Sequence, residues 1–175
     1  MHRPLRLAPP RATAATAAVS ALVALCGGTA EGCRGPTQVT VELRSSGASC
    51  ASLKGVSIVV ARSPQEAEDR MALGSFSAQV ERGTCDGARI GTLVITPQGP
   101  RGAVLVAARV SDDPAATCKP PDYKGCIVAR RSFAFVDHAS VTLPIALEAA
   151  CADVACDVAT SCRSGSCVSA SADPS

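Results

Sequence analysis

The sequence predicts a mostly β fold: an antiparallel β-sandwich with one short helix and a small disulfide-rich C-terminal tail. Three observations predict it. Seven short segments between Thr37 and Glu148 either alternate apolar and polar residues or run β-branched, and turn formers separate them. Aromatic residues make up only 2% of the 175 positions, so the core must come from Val, Ile, Leu and Ala, each of which buries less area than a ring. Ten cysteines offer covalent cross-links to such a core, provided the chain leaves the reducing cytosol.

The elements follow in order. Val39, Val41 and Leu43 alternate with Thr40, Glu42 and Arg44, the period of a half-buried strand. Val56 to Ala61 is nearly continuous and β-branched, as a more buried strand would be. Ser63-Pro64-Gln65-Glu66 has the capping-box form with proline at the first helical position, and Gly74 suits a stop. The apolar face there is Ala67, Met71 and Ala72, which predicts a short surface helix joining two strands. Phe76, Ala78 and Val80 then alternate with Ser77, Gln79 and Glu81. Ile90 to Thr96 and Ala103 to Val110 are two further runs, divided by the turn formers of Pro97 to Gly102.

Cys126 to Val136 is a longer strand with Arg130 and Arg131 inside it, so one face should be wet or the register should break there. Val141, Leu143, Ile145 and Leu147 form the last alternation. Pro144 cannot donate to a ladder, which places that strand at an edge or on a bulge. Seven strands at these spacings have an Ig-like sandwich architecture. The likeness is to architecture alone, because no Trp is present to pack against an inter-sheet disulfide.

The first 32 residues read as a secretory signal. Arg3, Arg6 and Arg11 form a basic end without an acid, Ala12 to Leu25 is uncharged and apolar, and Gly28-Thr29-Ala30 is small. The apolar run is too short for a comfortable membrane span. Cleavage after Ala30 is one outcome. Acylation of a first cysteine is another, at Cys33 after Ala30-Glu31-Gly32 or at Cys26 after Val23-Ala24-Leu25, although Glu31 and Leu25 depart from the usual lipobox. Parity favours Cys33, because eight cysteines then remain and all can pair; Cys26 is the alternative.

Removing the leader takes three of 17 basic residues and one of 15 acidic ones, which leaves 14 of each. A near-neutral chain without a basic stripe is a poor nucleic-acid binder. The expected partners are a membrane, through the lipid anchor, and an envelope protein or polysaccharide. The domain reading is a signal at 1–32, a sandwich at 33–150 and a cysteine-rich tail at 151–175, its last residues from Ser169 expected to be disordered. The location is the periplasm, the outer membrane or the cell surface.

The tail carries Cys151-x4-Cys156-x5-Cys162-x4-Cys167, with few branched apolar residues between. Burial alone cannot fold such a segment, so disulfides are expected, and interleaved Cys151–Cys162 and Cys156–Cys167 bonds would compact it best. Zinc sites usually show ligands two to four residues apart, often as tight Cys-x2-Cys pairs, so these wider spacings disfavour metal. The first three cysteines resemble the opening of an EGF-like module, but its later part is missing and calcium binding does not carry over. Cys118 and Cys126 bracket a loop whose closure would contribute roughly 2–3 kcal/mol. Cys50 then pairs with Cys85 by elimination, for roughly 4 kcal/mol. The alternative joins Cys33 to Cys50 and leaves Cys85 to pair elsewhere.

The order of leader, Pro36 to Val41 strand, Cys126-Ile-Val-Ala-Arg-Arg strand, Val141 to Ile145 strand and four-cysteine end resembles uncharacterised surface lipoproteins of large-genome soil bacteria. The resemblance covers most of the mature chain and implies a location more than an activity.

Chemistry is sparse. His138 is the one histidine beyond the leader, and the adjacent Asp137 is poorly placed to serve it in a triad. It reads as an exposed turn residue, and a hydrolase would need it in a cleft beside a serine or a carboxylate. Asp112-Asp113-Pro114 lacks the spaced acids of a calcium loop and reads as a solvated turn. Arg130-Arg131 reads as a polar strand face, with contact to an anionic surface polymer as the alternative. Neither a catalytic residue nor a cofactor is assigned. The expected role is structural or in binding, with the loops Pro97 to Gly102 and Lys119 to Gly125 as a surface for adhesion to a protein or polysaccharide.

Overall fold

The computed structural model describes residues 34–47, 50–81, 85–113 and 117–172. The leader, Cys26 and Cys33 lie outside these residues, as does the tail's end at 173–175. The chain runs β1 (Gln38–Ser46), β2 (Gly55–Ala61), α1 (Pro64–Ala72), β3 (Ala78–Glu81), β4 (Arg89–Ile95), β5 (Arg101–Arg109), β6 (Cys126–Ala134), β7 (Ser140–Glu148), β8 (Thr160–Arg163), β9 (Ser166–Ser169) and β10 (Ser171–Ala172). It forms a β-sandwich. One sheet has the order β4-β1-β7, the other β10-β6-β5-β2-β3, and β8-β9 is a separate hairpin.

Period-two patterning decides which side chains meet. Val39, Val41 and Leu43 of β1 and Leu143, Ile145 and Leu147 of β7 turn inward. They meet Val56 and Ile58 of β2, Val104, Val106 and Ala108 of β5, and Ile127 and Ala129 of β6 in one cluster. β1 and β7 run parallel, as do β6 and β10, and the other strand pairs are antiparallel. A parallel pair needs a long connection, and nearly the whole sandwich separates β1 from β7 in sequence. β7 is an edge strand, with Pro144 exposed opposite Glu42.

The five-stranded sheet is covered on both faces. Ala61, Leu105, Ala107, Cys126 and Val128 on its outer face pack with Ala67 and Met71 of α1 and with Tyr123. This explains why β5 is an unbroken apolar run rather than an alternation: seven consecutive residues are buried. α1 begins as its residues dictate, with Ser63 Oγ accepting the Glu66 N–H at 3.2 Å and proline at the first helical position. It is more than a surface connector. Ala67 and Met71 are 1% and 0% exposed, whereas Ala72 faces solvent and Glu68 is buried in its place.

Two further expectations are corrected. The β5–β6 register runs unbroken from Arg101↔Ala134 to Arg109↔Cys126, straight past Arg130 and Arg131. The chain beyond Ser169 is ordered through Ala172, because β6 offers it an open edge. Ser132 N–H donates to the Ala170 carbonyl at 2.9 Å, Ala170 is buried, and β10 pairs with β6. The hairpin covers the same edge higher up, where Arg130 N–H donates to Ser161 Oγ at 3.0 Å. An uncovered edge invites pairing with other chains, and the tail closes this one.

No helix among the described residues is long and apolar enough to cross a membrane. If α1 is a structural layer, Met71→Ala should lower the unfolding free energy by about 2–4 kcal/mol, while Leu73→Ala, at an 83% exposed site, should change it by less than about 0.5. Paired urea titrations measure both.

Candidate functional site

His138 stands exposed in the turn between β6 and β7 with φ of 58°. Its backbone N–H donates to Thr37 Oγ1 at 2.8 Å, and its ring Nε2 lies 3.3 Å from Arg34 Nη1. Among the described residues, neither a serine hydroxyl nor a carboxylate stands within hydrogen-bond distance of that ring. Asp112 and Asp113 are exposed, and Asp112 pairs with Lys54 Nζ at 2.9 Å. Among the described residues, no group of three or more His, Cys, Asp and Glu is arranged to hold a metal.

The structure brings the cysteines beyond the leader together as Cys50–Cys85, Cys118–Cys126, Cys151–Cys162 and Cys156–Cys167, with Cα separations of 6.2, 5.6, 5.7 and 5.6 Å. These separations suit a disulfide. The loop Lys119 to Gly125 is closed by Cys118–Cys126 and folds Tyr123 inward. The turn Pro97 to Gly102 contributes Gln98, Arg101 and Gly102 to a cleft of about 260 Å³ that Arg62 and Arg70 also line.

Arg130 and Arg131 part company. Strand alternation sends Arg130 to the outer face, under α1, where it is 5% exposed. The polar, wet strand face expected there is absent. A buried charge is tolerated only when it is paired and hydrogen-bonded, and Arg130 is both. Its Nε lies 2.6 Å from Glu68 Oε1, and its guanidinium lies 5.2 Å from the centre of the Tyr123 ring. The Tyr123 hydroxyl donates to Glu68 Oε2. Burial raises the Tyr123 hydroxyl pKa above its ordinary value, and the hydrogen bond to Glu68 and its charge add to the rise.

Neither Glu68 nor Tyr123 was singled out by sequence reasoning. The one available signal was a lone tyrosine held between two cysteines in a chain almost without rings.

Arg131 points the other way. Ile127, Ala129 and Phe133, which share its parity on β6, belong to the inter-sheet core. Arg131 is thus a half-buried cation at an inward-facing position. It opens into a cleft of about 340 Å³ at the side of the sandwich, between β7, the end of β6 and the cysteine-rich hairpin. Arg163 lines the same cleft from β8, Phe133, Leu143 and Val168 give it apolar walls, and Thr142 and Ser169 add hydroxyls. Burial lowers the Arg131 pKa, and the like charge of Arg163 lowers it further, against a smaller opposing effect of Glu148.

No family model matches this chain, and neither does a curated protein or a solved structure.

Removing one member of a buried ion pair strands the other. Glu68→Ala should therefore lower stability by about 3–5 kcal/mol. Tyr123 gives a pH signature. Below its ordinary pKa of about 10, folded and unfolded chains both hold the hydroxyl proton. Above it the unfolded chain releases the proton while the folded one keeps it, so stability falls as pH rises. Tyr123 is the sole tyrosine in the chain. Its tyrosinate absorbance should appear only together with unfolding, and a reversible titration near the ordinary value in the folded protein would refute its burial against Glu68.

Proposed function

We propose that the chain is an exported cell-envelope protein whose sandwich has a structural or binding role, held at the membrane by an acyl group on Cys33, with Cys26 as the alternative. The observation that carries this reading is the completeness of the cysteine framework. All eight cysteines after Cys33 pair with one another, and Cys50 is taken by Cys85. These eight make an even, fully paired set without Cys33, as acylation of Cys33 requires. Four disulfides are compatible with a periplasmic or extracellular location, where such bonds persist. The basic, then apolar, then small order of the leader supports export by the same route.

Binding is the more specific half of the proposal. The clefts beside Arg131 and beside Arg101 are concave, mixed in polarity and edged by ordered strands, as small-ligand sites are. The pinned loop Lys119 to Gly125 turns its tyrosine inward, which leaves it less to offer a partner. A hydrolase using His138 has no support in the geometry of that turn. One acyl chain holds a protein only marginally and several hold it firmly, so the type of anchor matters.

Mass spectrometry of the N-terminal peptide of the native protein tests the anchor. The expected result is an N-terminus at Cys33 carrying acyl groups, with Cys33→Ala releasing the protein from membranes into the soluble fraction. An unmodified N-terminus at Glu31 would replace the lipoprotein with a freely soluble exported one. An intact leader on the cytosolic protein would end the proposal.

A further inference from the structure

Among the described residues, the cleft that holds Arg131 and Arg163 gathers two cations and has no acid in its lining. No carboxylate stands within ion-pair distance of either guanidinium among the described residues. Arg131 Nη1 donates to the Arg130 carbonyl at 2.8 Å, a neutral acceptor. Glu148 is the acid whose charge reaches Arg131, and its carboxylate is engaged elsewhere: Oε2 accepts the Ser164 N–H at 2.8 Å and the Ser164 hydroxyl at 3.3 Å.

Two like charges are therefore gathered in one concavity, one of them half-buried at a position where its strand otherwise places core residues. Desolvation and repulsion both oppose this arrangement. A bound anion reverses both effects, and guanidinium groups bind carboxylate or phosphate through paired, charge-assisted hydrogen bonds.

The remaining walls limit what kind of anion fits. Phe133, Leu143 and Val168 are apolar, and a small hydrophilic ion would leave them uncovered. A volume of about 340 Å³ is at the small end of ligand sites, enough for a head group and a short alkyl segment but not for a two-chain lipid.

We propose that this cleft binds a soluble single-chain anionic amphiphile, its carboxylate or phosphate between Arg131 and Arg163 and its alkyl segment over Phe133, Leu143 and Val168. The cysteine-rich tail then has a binding task. Cys151–Cys162 and Cys156–Cys167 fix the hairpin that carries Arg163 and Val168 to the mouth of the sandwich. This inference deepens the binding half of the proposed function and rests on it, while the lipid anchor is decided separately at the N-terminus.

The test is calorimetric titration of the native protein with hexyl phosphate, alongside inorganic phosphate, hexanol and glycerophosphoglycerol, a lipid head group without its chains. Saturable binding of hexyl phosphate, well above that of the other three, is expected. Arg163→Gln alters an exposed hairpin residue and should leave the fold intact. It should weaken binding roughly ten- to a hundredfold, as expected for losing a charge-assisted hydrogen bond. Arg131→Met, which keeps a long side chain in the same place, should weaken binding by at least as much.

Absence of hexyl phosphate binding at millimolar concentration would overturn the proposal. So would binding by both variants as tight as that of the parent protein. Inorganic phosphate binding equally well would reduce the cleft to a plain anion site, and glycerophosphoglycerol binding equally well would make its occupant a membrane head group. Either result contradicts the amphiphile. If Arg131 only guards a sheet edge, Arg131→Met would promote self-association while no ligand binds the parent protein, and that too would refute the proposal.

Discussion

Covalent closure is the constraint on which the rest of this structure depends. The five-stranded sheet is buried on both faces, yet the side chains that cover it are mostly Val, Ile, Leu and Ala. Such a core supplies limited area, and folded domains are only marginally stable even with full cores. The disulfides act where that core is weakest. Cys50–Cys85 spans 35 residues and ties the segment after β1 to the approach to β4, while Cys118–Cys126 closes the loop before β6. The last two bonds interleave across a segment with few branched apolar residues of its own. Each bond limits the freedom of the unfolded chain, typically for about 2–4 kcal/mol.

The bonds also position groups that could not otherwise hold their places. Tyr123 sits inside the loop that Cys118–Cys126 closes, with φ of 47°, and from there reaches Glu68 on α1. Glu68 in turn holds Arg130 on β6, so one buried cluster joins loop, helix and sheet. Arg130 meets the tail as well, because its N–H is capped by Ser161 of the cross-linked hairpin. A single strand, β6, therefore faces three ways: toward the inter-sheet core through Ile127 and Ala129, toward the helix layer through Arg130, and toward the open cleft through Arg131.

How far this was legible in the sequence depends on how local each signal is. Strand alternation is local. β1 and β7 could be read residue by residue, the edge position of Pro144 followed from its missing N–H, and the start of α1 followed from Ser63 and Pro64. The pairing of Arg130 with Glu68 is not local, because the partners are 62 residues apart and each alone looks like an ordinary solvated charge. The same holds for Arg131 and Arg163, which become neighbours only when the hairpin folds back onto β6. The ordering of Ser171 and Ala172 depended on an open sheet edge, which no composition rule reveals. The parallel alignment of β1 with β7 likewise depends on topology and not on either strand's sequence.

The most direct test of covalent closure compares urea unfolding of the native chain before and after reduction and alkylation of its cysteines. The account predicts a single cooperative transition for the oxidised chain and none for the reduced one, because losing four closures at about 2–4 kcal/mol each exceeds or matches the stability of a typical domain. A reduced, alkylated chain that still unfolds cooperatively at the same midpoint would contradict it.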